Sequence, residues 1–419
     1  MNSILSRRDF LKFLGVATLL SFSSKELKAA TVPHIVVVGG GFSGATCAKY
    51  LKMWGGSSVD VTIIETNSTY VSPILSNLVL NGKKTTADLS FTYVDYSSKY
   101  KINMIHKEVS SVDSTNKTVT LNDNSVVNYD KLVLASGIDF IKVNAYDTTI
   151  IPHAWKAGEQ TNILKTQIDS MLDGDTFVMS IPKSPYRCPP GPYERACVVS
   201  DYLKNTKGYS NCKVIVLDEN SKIIVEENTF STVFTQNGVD YRPNSVVTNV
   251  DDSAKSIAFS ENGTAKTLNA EVINVIPNQK AASIVFTAGV NSGNWAPVNP
   301  LSYESTIKSD IHIIGDSQGT GQPKAGHIGN SEAKICADAI LRVLNGIAPY
   351  DQPKTNSACY SPTSSNQASW LTAVYKYDSA SKSMVSANRK VYPAAGSPSS
   401  SNYNKMFLWA GNLFSDTFS

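Results

Sequence analysis

Apolar positions in this chain come as short dense runs, each closed by a glycine turn and followed by a longer helical pattern. "HIVVVGGGFSGATCAKYLKMW" reads as an apolar strand, a glycine turn and a helix, and "VDVTIIE" as the next strand, ending on Glu65. "YDKLVLASG" (Tyr129–Gly137) is a strand running into a small-residue turn, and "IHIIGDS" (Ile311–Ser317) is a strand ending in Gly-Asp. After the Gly-Asp comes a loop and then an amphipathic helix over about 330–344. Between these pieces lies a second strand–helix–strand series: "DTFVMSIP", "PYERACVVSDYLKNT" and "CKVIVLDEN", the last ending on Asp218. From about Ala348 the composition shifts to Ser/Pro-rich stretches, short strand-like pieces such as "SWLTAVYKYD", and the C-terminal "KMFLWAGNLFSDTFS".

These elements predict an α/β fold with two Rossmann-like dinucleotide-binding domains and a small C-terminal α+β domain. The expected divisions are 31–145 and 281–346 for the first dinucleotide domain, 146–280 for the second, and 347–419 for a domain covering the cofactor. Gly39, Gly41 and Gly44 form GxGxxG in the strand–turn–helix setting that its mechanism requires. The glycines allow a tight turn and let a pyrophosphate approach a helix N-terminus, and Glu65 can hold ribose hydroxyls. The equivalent turn of the second unit reads "PKSPYRCPPGP". Prolines there remove N–H donors that a phosphate needs, so NAD(P)H is not expected as electron donor.

The chain is 42% apolar and 17% charged, as in a soluble globular protein. Its net charge of +3 arises in residues 1–29, where Arg7, Arg8, Lys12, Lys25 and Lys28 oppose Asp9 and Glu26. The rest is near neutral, so there is no basic field for nucleic acid. The paired arginines precede an apolar run, Phe10–Phe22, and the small residues Ala29–Ala30. That pattern over 1–30 is a twin-arginine export signal, which predicts a periplasmic protein folded around a cofactor before export. No other apolar run approaches the length of a membrane span, so no transmembrane segment is expected.

Six cysteines, Cys47, Cys188, Cys197, Cys212, Cys336 and Cys359, form no CxxC or CxxCH, and the five histidines are scattered. Neither structural zinc nor covalent haem on this chain is expected. Cys47 and Cys336 fall inside predicted helices, Cys197 in the helix after the proline corner, and Cys212 at the start of a strand. Only Cys188 and Cys359 stand in loop-like, Pro- or Ser-flanked contexts.

The glycine fingerprint with the later Gly315-Asp316 resembles flavoproteins with two dinucleotide-binding domains, in which that aspartate contacts the ribityl chain of FAD. More specifically, "PHAWKAGEQT", "YRCPPGPYERA", "HIIGD", "ACYS" and "DTFS" resemble the flavoprotein subunit of flavocytochrome c sulfide dehydrogenase, from about residue 32 to the end. The resemblance implies FAD held by Gly39, Gly41, Gly44, Glu65, Gly315 and Asp316, and a redox-active disulfide between Cys188 and Cys359 beside the flavin. It further implies hydrosulfide as substrate and a c-type cytochrome as electron-accepting partner. Glu194 is then a candidate proton handler; its competing role is a helix N-terminal acid favoured by the dipole. Two rival functions remain at this level, a sulfide:quinone oxidoreductase and a redox-inactive partner in periplasmic sulfur oxidation.

One position departs from the family. Members with covalent flavin carry a cysteine in Tyr-x-x-Cys-x-Leu-Ser-Asn, whereas this chain reads "YVSPILSN", with Pro73 there. A thioether cannot form at that site, so FAD is expected to be noncovalent. Acid precipitation should release all yellow colour into the supernatant; flavin retained on the pellet would contradict it.

Overall fold

The computed structural model describes residues 32–387, 392–393 and 398–419; the expected export signal at 1–30 lies outside the described residues. The apolar run of the first fingerprint forms β1 (His34–Val38), whose Ile35, Val36 and Val37 are fully buried. It leads through the glycine turn into α1 (Phe42–Gly55). Gly44 sits where α1 crosses the turn: a Cβ there would lie 1.9 Å from the Gly39 carbonyl oxygen, so only glycine lets helix and strand approach this closely. β2 (Asp60–Ile64) follows, then the short α2 (Asn77–Leu80), β3 (Asn103–Ile105) and β4 (Lys131–Leu134).

The second unit repeats the design. β5 (Thr176–Ile181) enters the proline corner, α3 (Gly191–Asp201) leaves it, and a π-helical turn over Tyr202–Thr206 ends the helical run. β6 (Lys213–Asp218), β7 (Asp240–Arg242) and β8 (Val272–Val275) complete a parallel sheet in the order β7-β6-β5-β8. The chain then returns to the first sheet through β9 (Ile311–Ile313), giving β9-β4-β1-β2-β3, all parallel. Such strands are buried on both faces, which is why their sequences are continuously apolar. α4 (Gly326–Leu344) covers this sheet beside α1. It begins one turn before the expected 330, because Ala325 is still extended and Gly326 takes the first helical position.

The last segment corrects the sequence expectation. Cys359 is not in a loop: it lies in β10 (Lys354–Pro362), which pairs antiparallel with β11 (Ala368–Asp378), and β12 (Ser383–Ser386) adds to β11. The C-terminal stretch is one helix, α5 (Ser400–Phe418), capped by the Ser399 side chain accepting from the Asn402 N–H. Met406, Ala410, Leu413 and Thr417 recur at helical spacing and are buried. α5 therefore joins the core of the first sheet. Phe414 and Phe418 pack on Phe91 with ring centres 4.8 and 4.6 Å away, and Phe418 stacks on Tyr70 at 5.3 Å. No helix among the described residues is long and apolar enough to cross a membrane.

Asp416 fastens the far end of α5. Its carboxylate accepts from Tyr50 Oη (2.6 Å) and Asn330 Nδ2 (2.8 Å) and pairs with Lys334 Nζ at 2.8 Å. Burial alone would raise its pKa, but the bonds from Lys334, Tyr50 and Asn330 win and hold it below the usual carboxylate range. A depressed folded pKa contributes stability above the unfolded value and loses it as pH falls through the folded one. Asp416→Ala should therefore lower stability at pH 7 by about 1–2 kcal/mol, allowing for solvent screening of a half-exposed group. The gap between the two proteins in thermal unfolding should close below pH ~4; a gap independent of pH would disprove the linkage.

Candidate functional site

A cleft of about 720 Å³ runs along the carboxyl ends of the first sheet. It is lined by Gly39, Gly41, Glu65, Ser136 and Asp316 among others, so the glycine turn and the Gly-Asp turn face one space. Glu65 also braces the turn itself: Oε2 accepts the Gly40 N–H at 2.8 Å and Oε1 the Asn67 N–H at 3.0 Å. Gly315 N–H donates to Glu332 Oε2 at 2.8 Å, and Gln318 Nε2 to Glu332 Oε1 at 2.8 Å. Glu332 is fully buried, and burial pushes its pKa up to about 8. Sequence reasoning passed over Glu332; its one signal is an acid on the otherwise apolar face of α4.

The cleft suits FAD on two observations. The Asp316 carboxylate faces it, pushed up in pKa by burial and without a hydrogen bond to the chain among the described residues. The buried Ser136 hydroxyl beside it also lacks a partner. Both are groups that need a polar ligand to offset their desolvation.

The proline corner forms the wall of an adjoining cavity of about 70 Å³. Cys188 occupies a left-handed conformation (φ +56°), and its N–H donates to the Lys324 carbonyl at 2.7 Å. Its own carbonyl accepts the Gly191 N–H at 2.9 Å. Gly191 is required here, since a Cβ would come within 2.9 Å of both Cys188 Sγ and the Trp155 ring. From the opposite side β10 delivers Cys359, and its neighbour Ala358 donates its N–H to His327 Nδ1 at 3.0 Å. Cys188 from the proline corner and Cys359 from β10 thus line one cavity, as free thiols not bonded to each other. Pro73, Arg187, Ala325 and Gly326 line both this cavity and the dinucleotide cleft, so the two spaces adjoin.

Burial dominates the electrostatics. It pushes the Cys188 thiol well up and the Cys359 thiol to about 12, with nearby Glu226 adding to the second. Arg187 is the cation that acts against this at Cys188. Glu194 is 7% exposed, and burial raises its pKa to about 8 against a hydrogen bond from Asn77 Nδ2 of 2.9 Å. His327 and Trp409, both missed in the sequence, also line the cavity, the indole N–H donating to His327 Nδ1 at 3.3 Å.

In the second unit the acid that ends β6 is already engaged by side chains. Asp218 ends β6 where a ribose-binding carboxylate would stand. Tyr193 and Tyr241 each donate to its Oδ2 at 2.8 Å, and Asn220 occupies Oδ1. Of the remaining cysteines, Cys47, Cys197 and Cys336 are fully buried in helices. Cys212 lies just before β6, its Sγ 3.2 Å from the Leu172 carbonyl. Among the described residues no His/Cys/Asp/Glu group is placed to hold a metal ion.

Comparison with known proteins agrees with this architecture. The family model described as sulfide dehydrogenase [flavocytochrome c] flavoprotein chain, central, matches residues 161–277, and that of pyridine nucleotide-disulphide oxidoreductase matches residues 33–168. A ferredoxin–NAD(+) reductase subunit of the benzene 1,2-dioxygenase system of Pseudomonas putida is 30% identical over 106 residues, 25% of this chain and 26% of that protein. The chain thus spans about a quarter of that relative's length. The sulfide:quinone oxidoreductase structure from Aquifex aeolicus superposes with a TM-score of 0.73 over 92% of each chain, at 16% identity, a likeness of fold. The sulfide dehydrogenase [flavocytochrome c] flavoprotein chain of Chlorobaculum thiosulfatiphilum is 47% identical over 46 residues, 11% of this chain and 94% of that sequence. With its central region matching the one family model and that sequence matched over nearly its whole length, this chain belongs to the family of the flavocytochrome c sulfide dehydrogenase flavoprotein chain.

Proposed function

We propose that this chain is an FAD-dependent sulfide dehydrogenase subunit that oxidises hydrosulfide in the periplasm and delivers electrons to a c-type cytochrome. The observation that carries the proposal is the meeting of Cys188 and Cys359 in one cavity that adjoins the dinucleotide cleft. In the oxidised enzyme the two sulfurs form a disulfide. Hydrosulfide attacks one sulfur; the S–S bond breaks as the new one forms, leaving a persulfide on one cysteine and a thiolate on the other. Hydrosulfide is small enough for a cavity of about 70 Å³.

The chain's own residues govern charge in this closed space. Arg187, between cavity and cleft, is placed to favour the anionic substrate and the thiolate. Glu194, poised near pH 8 by burial, can take the substrate proton and pass it on. Noncovalently held FAD, with Gly39, Gly41, Gly44, Glu65, Gly315 and Asp316 lining or shaping its cleft, would supply the two-electron acceptor beside the sulfurs. The export signal with Arg7 and Arg8 supports the periplasmic location.

Replacing Cys188 or Cys359 with Ser should abolish sulfide-dependent bleaching of the flavin under anaerobic conditions while leaving FAD bound, since neither belongs to the dinucleotide turns. Cys197→Ser and Cys212→Ser should remain near wild type. Near-normal turnover by either Cys188→Ser or Cys359→Ser would refute the mechanism. NADH and NADPH at micromolar concentration should not bleach the flavin, because Tyr193 and Tyr241 occupy Asp218 and prolines replace the glycine turn. Rapid bleaching by either nucleotide would overturn that part.

A further inference from the structure

Asn77 belongs to the "YVSPILSN" segment, yet its side chain reaches across to the sulfur cavity, which it lines. It is buried, and all of its polar contacts go to α3. Asn77 Nδ2 donates to Glu194 Oε1 at 2.9 Å and to the Gly191 carbonyl at 3.0 Å, while Asn77 Oδ1 accepts from Arg195 Nε at 3.0 Å. The amide can stand only one way round. Arg195 is a donor with no acceptor, so it must meet the oxygen; Glu194 Oε1 and the Gly191 carbonyl are acceptors and must meet the nitrogen. Arg195 in turn cannot rotate, because Asn274 Oδ1 and the carbonyls of His153 and Ala154 take its Nη1 and Nη2 donors at 2.6–3.2 Å.

We propose that Asn77 is a positioning residue for the proton chemistry of this site: locked by Arg195, its amide N–H aims the Glu194 carboxyl at the sulfur cavity and sets that carboxyl's affinity for a proton. This rests on the role given to Glu194 above. An N–H donated to the ionised form stabilises it, so Asn77 opposes the burial that drives Glu194 upward. Glu194 then exchanges protons near neutral pH instead of staying protonated. The other charged or titratable groups around Glu194 are Arg195 and Cys197 on its own helix, Glu226 from the loop before residues 227–237, Arg187 and Cys188 at the corner, Cys359 on β10 and His327 on α4. Among the described residues none of these donates a hydrogen bond to the Glu194 carboxyl; the donor is Asn77.

The test is Asn77→Asp, which keeps the shape and the acceptor for Arg195 but removes the N–H and adds a like charge. Infrared titration of the protonated carboxyl band, assigned by its loss in Glu194→Gln, should give a midpoint at least about one pH unit higher in Asn77→Asp, a tenfold change in proton affinity. Because Glu194 takes the substrate proton in its ionised form, the acid limb of sulfide-dependent flavin bleaching should move by the same amount in the same direction. Asn77→Ser, smaller and without the added charge, should also shift both upward and by less; it serves if the aspartate variant does not fold. An unchanged infrared midpoint in the folded variant overturns the proposal. A wild-type protein that sulfide fails to bleach would refute the functional reading, and the infrared titration would still decide this one.

Discussion

The fold around the sulfur cavity depends on one buried cation. Arg195 is 1% exposed and lies 5.1 Å from the Trp155 ring centre. Taking a guanidinium out of water costs several kcal/mol unless its donors are met. Here four of its five N–H donors are met, by Asn77 from the first unit, Asn274 from β8, and the carbonyls of His153 and Ala154 from the connecting segment. Burial still lowers its pKa, to about 9, so the charge persists at neutral pH. Removing any one of these segments would strand a buried charge, so a single side chain holds the cavity walls in a fixed relation.

That constraint sets the electrostatic character of the cavity. Its walls include Ile74, Leu75, Trp155, Tyr360 and Trp409, and its ionisable groups shift toward neutral forms: the two thiols and Glu194 upward, His327 downward. Arg195 apart, whose charge is met by hydrogen bonds, these buried walls disfavour a resting pair of thiolates. Arg187, shared between cavity and cleft, stands where that charge can be met. The arrangement separates two tasks, with charge suppressed around the sulfurs and offered at the boundary with the cofactor cleft.

Legibility in the sequence followed the range over which each signal acts. The fingerprint Gly39, Gly41 and Gly44 with Glu65, the Gly315-Asp316 turn and the proline corner are local patterns, each with a meaning fixed by a few neighbouring residues. Cys359 reads as loop-borne in the sequence because "ACYSPTSS" carries turn residues; pairing of β10 with β11 overrides that local preference. α5 carries a weak helix signal because aromatic residues and Gly411 are mediocre helix formers, and its stability comes from packing on Phe42, Phe91 and Tyr70. Asn77 and His327 carry no signature of a role in the site, and Glu332 only that of an acid on the apolar face of α4. A buried polar residue is defined by its partners, and those of Asn77 lie 114–118 positions away.

The stretch "YER" after the proline corner shows how one helical turn can serve several neighbours at once. Successive residues on a helix point about 100° apart, so Tyr193, Glu194 and Arg195 address three different neighbours. Tyr193 reaches the Asp218 carboxylate; Glu194 lines the sulfur cavity; Arg195 turns toward Asn77 and the connecting segment. Gly191 admits the Cys188 sulfur against the start of the same helix. Rotating or shifting α3 to free Asp218 would carry Glu194 away from the cavity and pull Arg195 off its four oxygens. On this geometry, the engagement of Asp218 by Tyr193, the position of Glu194 at the sulfur cavity and the seating of Arg195 on its four oxygens are consequences of one helix placement.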